Sequence, residues 1–304
     1  MAEGGDRGER ESGLNVSVRA GPNPVELARA QYADAVTKAA DLRSQALRDA
    51  FARVPRERFL GPGPWRIGRF DGPPTYELTQ DGDALRVYVD AVIAIDVARN
   101  LNNGAPSFLA RCLDALDLEP GDRFAHIGCG TGYYTAIAAE AVGKTGTVEA
   151  VEVDADIASR AASNLCDYAS VRVRNANGND VELACADAIL VNAGVTRIAT
   201  RWLDALALHG RLLVPLTVEK SPMPPEVGVG RLLKLTRRTD RIDACFISTV
   251  GIFHCEGARD DASATALREA LERNDADSVT TLRTDPHLRC VTCWFHTPMV
   301  CVSR

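Results

Sequence analysis

Phe124-Ala125-His126-Ile127-Gly128-Cys129-Gly130-Thr131-Gly132-Tyr133-Tyr134-Thr135 is the stretch whose reading decides the fold. An apolar run passes into alternating glycines, and helix-forming Ala136-Ile137-Ala138-Ala139-Glu140-Ala141-Val142 follows, so the segment reads as strand, tight turn, helix N-terminus. The glycines let the backbone turn sharply and approach a ligand closely, and the free N–H groups of the next helix face the same spot. A nucleotide-like ligand is expected there.

The spacing of the glycines narrows the choice. A dinucleotide fingerprint needs glycines at its first, third and sixth positions, the last for close helix packing beside the pyrophosphate. Here the sixth position is Tyr133, and Gly128, Gly130 and Gly132 leave room for a ligand without a pyrophosphate, as in enzymes that use S-adenosylmethionine. The next strand, Val148-Glu149-Ala150-Val151-Glu152-Val153-Asp154, ends in carboxylates where a side chain should reach ribose hydroxyls. Glu152 is the expected bidentate acceptor. An ordinary strand-to-helix turn can carry the same glycines, and it is the acidic strand end inside a βαβ pattern that sets this one apart.

Outward from this turn, strand and helix alternate: strands over 123–127, 147–153, 171–174, 188–192 and 211–218, and helices over 134–142, 155–165 and 198–208, the last closed by Gly210 as a C-terminal stop. That order predicts an α/β fold, a doubly wound Rossmann-like sheet. Ligands of such sheets collect at the carboxyl ends of the strands, which groups the glycine turn with Glu152, Asn177 and Asn192. Upstream, residues 24–52 repeat apolar positions at helical spacing. Pro106 suits the first turn of a helix over 108–116. Residues 88–95 read equally as a short strand or a turn. Trp65 and Phe70, in a Gly/Pro-rich loop, are expected to pack on the core. Downstream, 230–237 and 244–254 read as an antiparallel hairpin. The expected organisation is a loose arm (1–23), an N-terminal helical cap (24–110), a ligand-binding domain (111–258) and a small C-terminal α+β appendage (259–304).

The bulk numbers exclude several classes. A net charge of −6 and a pI near 5.5 argue against a nucleic-acid-binding face or a polybasic membrane anchor. Arg231, Lys234, Arg237, Arg238 and Arg241 lie close together but read as a solvated strand edge and turn. No apolar run reaches the length of a membrane span and the first twenty residues are polar, so a cytoplasmic protein is expected. Nine cysteines, scattered in apolar surroundings, fit reduced thiols. Cys290 and Cys293, if on one strand, project to opposite faces and cannot share an ion, so no metal site is expected.

Read together, these residues resemble the protein-L-isoaspartate O-methyltransferase family over about residues 42 to 255. The resemblance is carried by Val54-Pro55-Arg56-Glu57-Arg58-Phe59, Ala105-Pro106, Ile127-Gly128-Cys129-Gly130-Thr131-Gly132-Tyr133, Glu152 and Gly210-Arg211-Leu212-Leu213-Val214-Pro215. It implies an S-adenosylmethionine-dependent carboxyl O-methyltransferase with S-adenosylhomocysteine as product, acting on a protein or peptide, with no metal, nucleic acid or membrane involved. The implied cofactor residues are His126, Gly128, Cys129, Gly130, Thr131, Gly132, Glu152, Val153, Asn177, Gly178 and Asn192.

Three departures bear on function. Where the family carries Thr-Ile-Ser-x-Pro, whose hydroxyls help hold the isoaspartyl carboxylate, this chain has Asn102-Asn103-Gly104-Ala105-Pro106, leaving Asn102, Asn103 and Ser107 as the substrate-turn candidates. The usual acid at the end of the first binding strand is His126. A Gly-Asp-Gly turn facing the adenine becomes Ala176-Asn177-Gly178, in which Asn177 keeps a carbonyl acceptor. A different acceptor, such as another carboxylate or a small molecule, and cofactor binding without transfer stay open as alternatives.

Overall fold

The structure, a computed structural model, describes residue 1, residues 23–69 and residues 75–304. The arm expected over 1–23, apart from its two ends, and Phe70 lie outside the described residues. Helix α1 (Pro24–Ala40) starts where the Asn23 side chain accepts from the Val25 N–H and Pro24 opens the first turn, and it ends as Asp41 turns left-handed. Helix α2 (Gln45–Arg53) is capped by Ser44 and stops ahead of Pro55, which disfavours helical geometry in the residue before it. Two small hairpins follow: β1 (Arg66–Arg69) with β2 (Thr75–Leu78), and β3 (Ala94–Asp96) with β4 (Leu101–Asn102). Residues 88–95, open between strand and turn in the sequence, form a turn that ends in β3. Helix α3 (Pro106–Ala115) then leads into the main sheet.

The chain lays down β5 (Arg123–Ile127), α4 (Tyr133–Val142), β6 (Thr147–Glu152), α5 (Ala155–Asn164) and β7 (Val171–Asn175). It then continues through β8 (Ala186–Val191), α6 (Thr200–Ala205) and the long strands β9 (Leu206–Glu219), β10 (Val227–Arg237) and β11 (Ile242–Phe253). Helix α7 (Asp261–Glu272) and strands β12 (Thr281–Arg283), β13 (Cys293–His296) and β14 (Cys301–Ser303) complete it. All strands from β5 on join one ten-stranded sheet in the order β13-β14-β12-β11-β10-β9-β8-β5-β6-β7. Strands β9-β8-β5-β6-β7 are parallel neighbours, and every pairing from β9 through β10 to β13 is antiparallel. The chain moves outward from β5 to β7 and then crosses back to β8. That reversal opens a crevice at the carboxyl ends of β5 and β8.

Strand alternation gives the sheet two cores. Phe124, Ala150, Leu190 and Leu213 pack with α1–α4 on one face, and Ala125, Ile127, Ile189 and Val214 pack with Trp202 and Leu267 on the other. The C-terminal α+β appendage is α7 with three strands that lengthen this sheet beyond β11.

Two expectations are corrected. The helix expected over 198–208 spans only Thr200–Ala205, and Gly210 lies inside β9 instead of closing a helix. Ala186 pairs with Leu206 and Ala188 with Arg211, so β9 carries extra residues across this step. His209 there has φ +66°, and a Cβ on Gly210 would come within 2.8 Å of the Ala207 carbonyl oxygen. Cys290 and Cys293 are not on one strand. Residues 290–293 form a turn closed by the Cys293 N–H on the Cys290 carbonyl, β13 begins at Cys293, and the two Sγ atoms sit 3.6 Å apart.

Candidate functional site

A cavity of about 740 Å³ occupies the crevice that the strand reversal opens. One wall is the glycine turn. Gly128, Gly130 and Gly132 have φ of +73°, +56° and +95°, a region that costs a side chain 1–2 kcal/mol or so per residue. A Cβ on Gly132 would meet Leu165 Cδ1 at 2.7 Å and one on Gly178 would meet Ile127 Cγ2 at 2.3 Å, whereas one on Gly130 would meet nothing within 4 Å. The Gly130 face is therefore open to the cavity, and the other two are closed by packing.

Glu152, at the end of β6, is 8% exposed. Its Oε2 accepts from the Gly130 N–H at 2.8 Å and its Oε1 from the Asp154 N–H at 3.2 Å. Burial raises its pKa, and those backbone donors oppose the shift. Each oxygen keeps a second lone pair, so the carboxylate is fixed in place and still able to accept a pair of vicinal hydroxyls. Val153 beside it is an exposed apolar side chain suited to a flat ring, with Gly178 lining the same space. Cys129, Thr131 and Asn192 also line the cavity, and Asn192 donates to the Gly128 carbonyl at 3.3 Å. This donor set and the open cradle fit an S-adenosylmethionine nucleoside and tail.

The facing wall is the turn over residues 100–105. Asn102 accepts from the Gly104 N–H at 2.9 Å and donates to the Tyr76 hydroxyl at 3.1 Å. Asn103 Oδ1 accepts from the Ile93 N–H at 2.8 Å, and its Nδ2 is buried with no hydrogen-bond partner. Tyr134 donates to the Gly104 carbonyl at 3.1 Å. Gly104 has φ +77°, and a Cβ there would press on Leu109 Cδ2 at 2.9 Å. Placing serine at Gly104 would therefore strain the turn as well as add a hydroxyl.

The segment before this wall is held by the Val-Pro-Arg-Glu stretch. Arg56, fully buried, donates to the carbonyls of Val87 (2.8 Å), Val89 (2.5 Å) and Ala91 (2.7 Å), and its guanidinium lies over the rings of Tyr32 and Tyr133. The Tyr88 hydroxyl donates to Glu57 at 2.5 Å. Arg99 pairs with Asp96 at 2.7 Å and with Asp154, the N-cap of α5, so the two walls are tied by charge. The Ile157 N–H and then Arg99 hold the Asp154 carboxyl below its usual range.

Four expected residues are not among those lining the cavity, and Gly132, packed against Leu165, is the first of them. His126 projects to the opposite side of β5 from Ile127, its Nδ1 lies 2.9 Å from Thr135 Oγ1, and burial lowers its pKa to about 3, so it is a neutral core histidine. Asn177 spends its Oδ1 on the Asn179 N–H at 2.9 Å and packs against Gly257, leaving Gly178 as the lining residue. Ser107 is at the start of α3, with its N–H on Asp90, outside the lining residues. Trp65 packs in the core, as expected, with its indole N–H on the Gly61 carbonyl. The basic cluster is paired or tied to backbone: Arg231 with Asp277, Lys234 with Asp117, Arg238 and Arg241 with Asp243, and Arg237 on the Leu203 and Leu206 carbonyls. Sequence reasoning missed His254, just past β11, which is among the residues lining the cavity and whose Nε2 is buried without a partner. No local signal marks it, because an antiparallel strand far along the chain delivers it. Burial and then Arg259 lower its pKa.

Comparison with known proteins agrees with this geometry. A profile of the protein-L-isoaspartate(D-aspartate) O-methyltransferase family matches residues 78–224. The protein-L-isoaspartate O-methyltransferase of Gloeobacter violaceus is 32% identical over 177 residues, covering 58% of this chain and 76% of that relative. That of Methylorubrum populi is 31% identical over 216 residues, covering 70% and 87%. A Plasmodium falciparum structure described as a putative protein-L-isoaspartate O-methyltransferase in complex with S-adenosyl-L-homocysteine superposes with a TM-score of 0.57 at 19% identity, over 75% of this chain and 98% of that one. Among the described residues no helix is long and apolar enough to cross a membrane. The chain therefore belongs to the protein-L-isoaspartate(D-aspartate) O-methyltransferase family of S-adenosylmethionine-dependent methyltransferases.

Proposed function

We propose that the chain methylates the carboxylate of an isoaspartyl residue in a protein or peptide. The observation that carries this reading is one cavity lined by Glu152 on one side and by the turn of Asn102 and Asn103 on the other, with Asn103 Nδ2 left without a hydrogen-bond partner. S-adenosylmethionine, when bound, supplies an electrophilic methyl group for in-line transfer. Glu152 holds the ribose hydroxyls, Val153 and Gly178 receive the adenine, and the turn of Gly128, Cys129, Gly130, Thr131 and Gly132, with Asn192 bracing it, lets the tail lie against backbone. Asn103 donates to the acceptor carboxylate, and Asn102 shapes the turn through its bonds to Gly104 and Tyr76. An ionised carboxylate needs no general base, so the chain contributes alignment and exclusion of water. Nine free cysteines support a reducing, cytoplasmic setting.

The test is transfer of label from methyl-labelled S-adenosylmethionine to an isoaspartyl peptide beside its aspartyl twin. Label on the isoaspartyl peptide alone is expected. Cofactor binding with no label on either peptide would overturn the acceptor and favour another carboxylate, a reading to which the missing hydroxyl at Gly104 already gives some support.

A further inference from the structure

The far end of the sheet gathers side chains that methyl transfer does not use. One ligand atom from each of His287, Cys293, His296 and Cys301 lies within 4.8 Å of all the others. They come from separate places: His287 from the loop before β13, Cys293 and His296 from the two ends of β13, and Cys301 from the start of β14. Residues three apart on a regular strand face opposite ways, but Cys293 pairs with Ser303 and Phe295 with Val302, so one extra residue on β13 restores Cys293 to the face of His296. His296 in turn sits directly across from Cys301.

We propose that His287, Cys293, His296 and Cys301 are the ligands of a structural zinc ion. The spacing suits a tetrahedron: with Zn–S near 2.3 Å and Zn–N near 2.0–2.1 Å, a sulfur-to-nitrogen edge is about 3.5–3.6 Å. Cys293 Sγ is 3.6 Å from His287 Nε2. Two thiolates and two neutral imidazoles select zinc over hard cations, and two thiolates neutralise its charge.

The surroundings orient these ligands as outer-shell partners of a metal do. His287 Nδ1 lies 2.8 Å from the Asp285 carbonyl oxygen, which sets Nδ1 as the protonated nitrogen and leaves the Nε2 lone pair toward Cys293. The Cys290 N–H donates to Cys293 Sγ at 3.2 Å, and Ser303 Oγ lies 3.2 Å from Cys301 Sγ, where its hydroxyl can support a thiolate. His296 Nδ1 is buried with no hydrogen-bond partner. The loop that brings His287 needs such a fastening, since its large apolar side chains Leu288 and Val291 are 91% and 90% exposed and contribute almost no packing. A bound ion would anchor that loop to the edge strand β13. The competing use of these thiols is a Cys290–Cys293 disulfide, which would need neither histidine.

The test is metal content of the full chain purified under reducing conditions, followed by cobalt exchange and thermal melting with and without a chelator. About one zinc per chain is expected, with the visible absorption of tetrahedral thiolate-bound cobalt after exchange. Chelation is expected to lower the melting temperature by several degrees or so. His287→Ala, a loop change compatible with folding, and Cys301→Ser should each weaken zinc binding by at least about tenfold. Cys290→Ser should retain the metal. The proposal is overturned by a folded, reduced chain holding less than about a tenth of an equivalent of zinc and giving no cobalt spectrum. It is equally overturned by unweakened binding in His287→Ala, by loss of the metal from Cys290→Ser, or by a Cys290–Cys293 disulfide with a melting temperature indifferent to chelator. Should Cys301→Ser fail to fold, His287→Ala and the cobalt spectrum of the unaltered chain decide.

Discussion

The two walls of the cavity are built on different principles. The cofactor wall is one contiguous piece of chain, a glycine turn whose shape is set by backbone angles and by a single carboxylate at the next strand end. The acceptor wall is a short turn with little shape of its own, held from outside by Tyr76 and Tyr134, while Arg56 and Arg99 fix the segment leading into it. A wall made of backbone is cheap to specify and resists substitution at few points. A wall made of distant clamps can be reshaped by changes that never touch a ligand, and one of the three departures from the family pattern, Asn102-Asn103-Gly104, lies there.

The sharpest way to break this contrast is Arg56→Ala. It leaves three carbonyls, that of Val87 buried, without their donor and should cost about 3–5 kcal/mol of stability, read as a shift in denaturant midpoint. If the protein is unchanged, the acceptor wall does not depend on that clamp. Next is Glu152→Ala, which should weaken S-adenosylmethionine binding by roughly 30- to 100-fold, about 2–3 kcal/mol, in calorimetry; an unaltered affinity removes Glu152 from the site. Asn103→Ala should leave cofactor affinity intact while lowering kcat/KM for an isoaspartyl peptide by about tenfold or more, the worth of a hydrogen bond to a charged group. Equal loss in both measurements would show that the walls are not separable.

The smallest effect concerns His126, which lies behind the cofactor wall. Its folded pKa of about 3 lies below the ordinary 6.5, so the unfolded chain takes up a proton that the folded chain refuses between those values. Its contribution is fully present above pH 6.5 and is lost as pH falls toward 3, at up to about 1.4 kcal/mol per pH unit. The stability of His126→Gln should therefore fall less steeply than that of the unaltered chain between pH 6.5 and 4.5, measured by urea unfolding. Parallel slopes would mean that His126 already titrates in the folded state.

Legibility in the sequence follows the same divide. Strands β5, β6 and β8, the glycine turn and Glu152 are readable because each is a local pattern: apolar period, positive-φ glycine, acid at a strand end. His126 shows the limit. Its position in the motif suggests the ligand, but strand alternation turns it to the opposite face. Gly210 looks like a helix stop and instead serves a bulge between β8 and β9, because pairing with β8 starts the strand at Leu206. Strand geometry would part Cys290 from Cys293, but the turn over 290–293 brings them together.

What the sequence by itself determined is the doubly wound sheet, its cofactor and the positive-φ glycine turn after β5, since these rest on residues a few positions apart whose conformational preferences act locally. Only the tertiary structure decided that the antiparallel strands carry His254 to the cavity, that Arg56 clamps the segment leading into the acceptor wall, and that β13 and β14 bring two cysteines and two histidines together. Those contacts join residues far apart in the chain, and their positions depend on register, bulges and strand order, which no short stretch of sequence specifies alone.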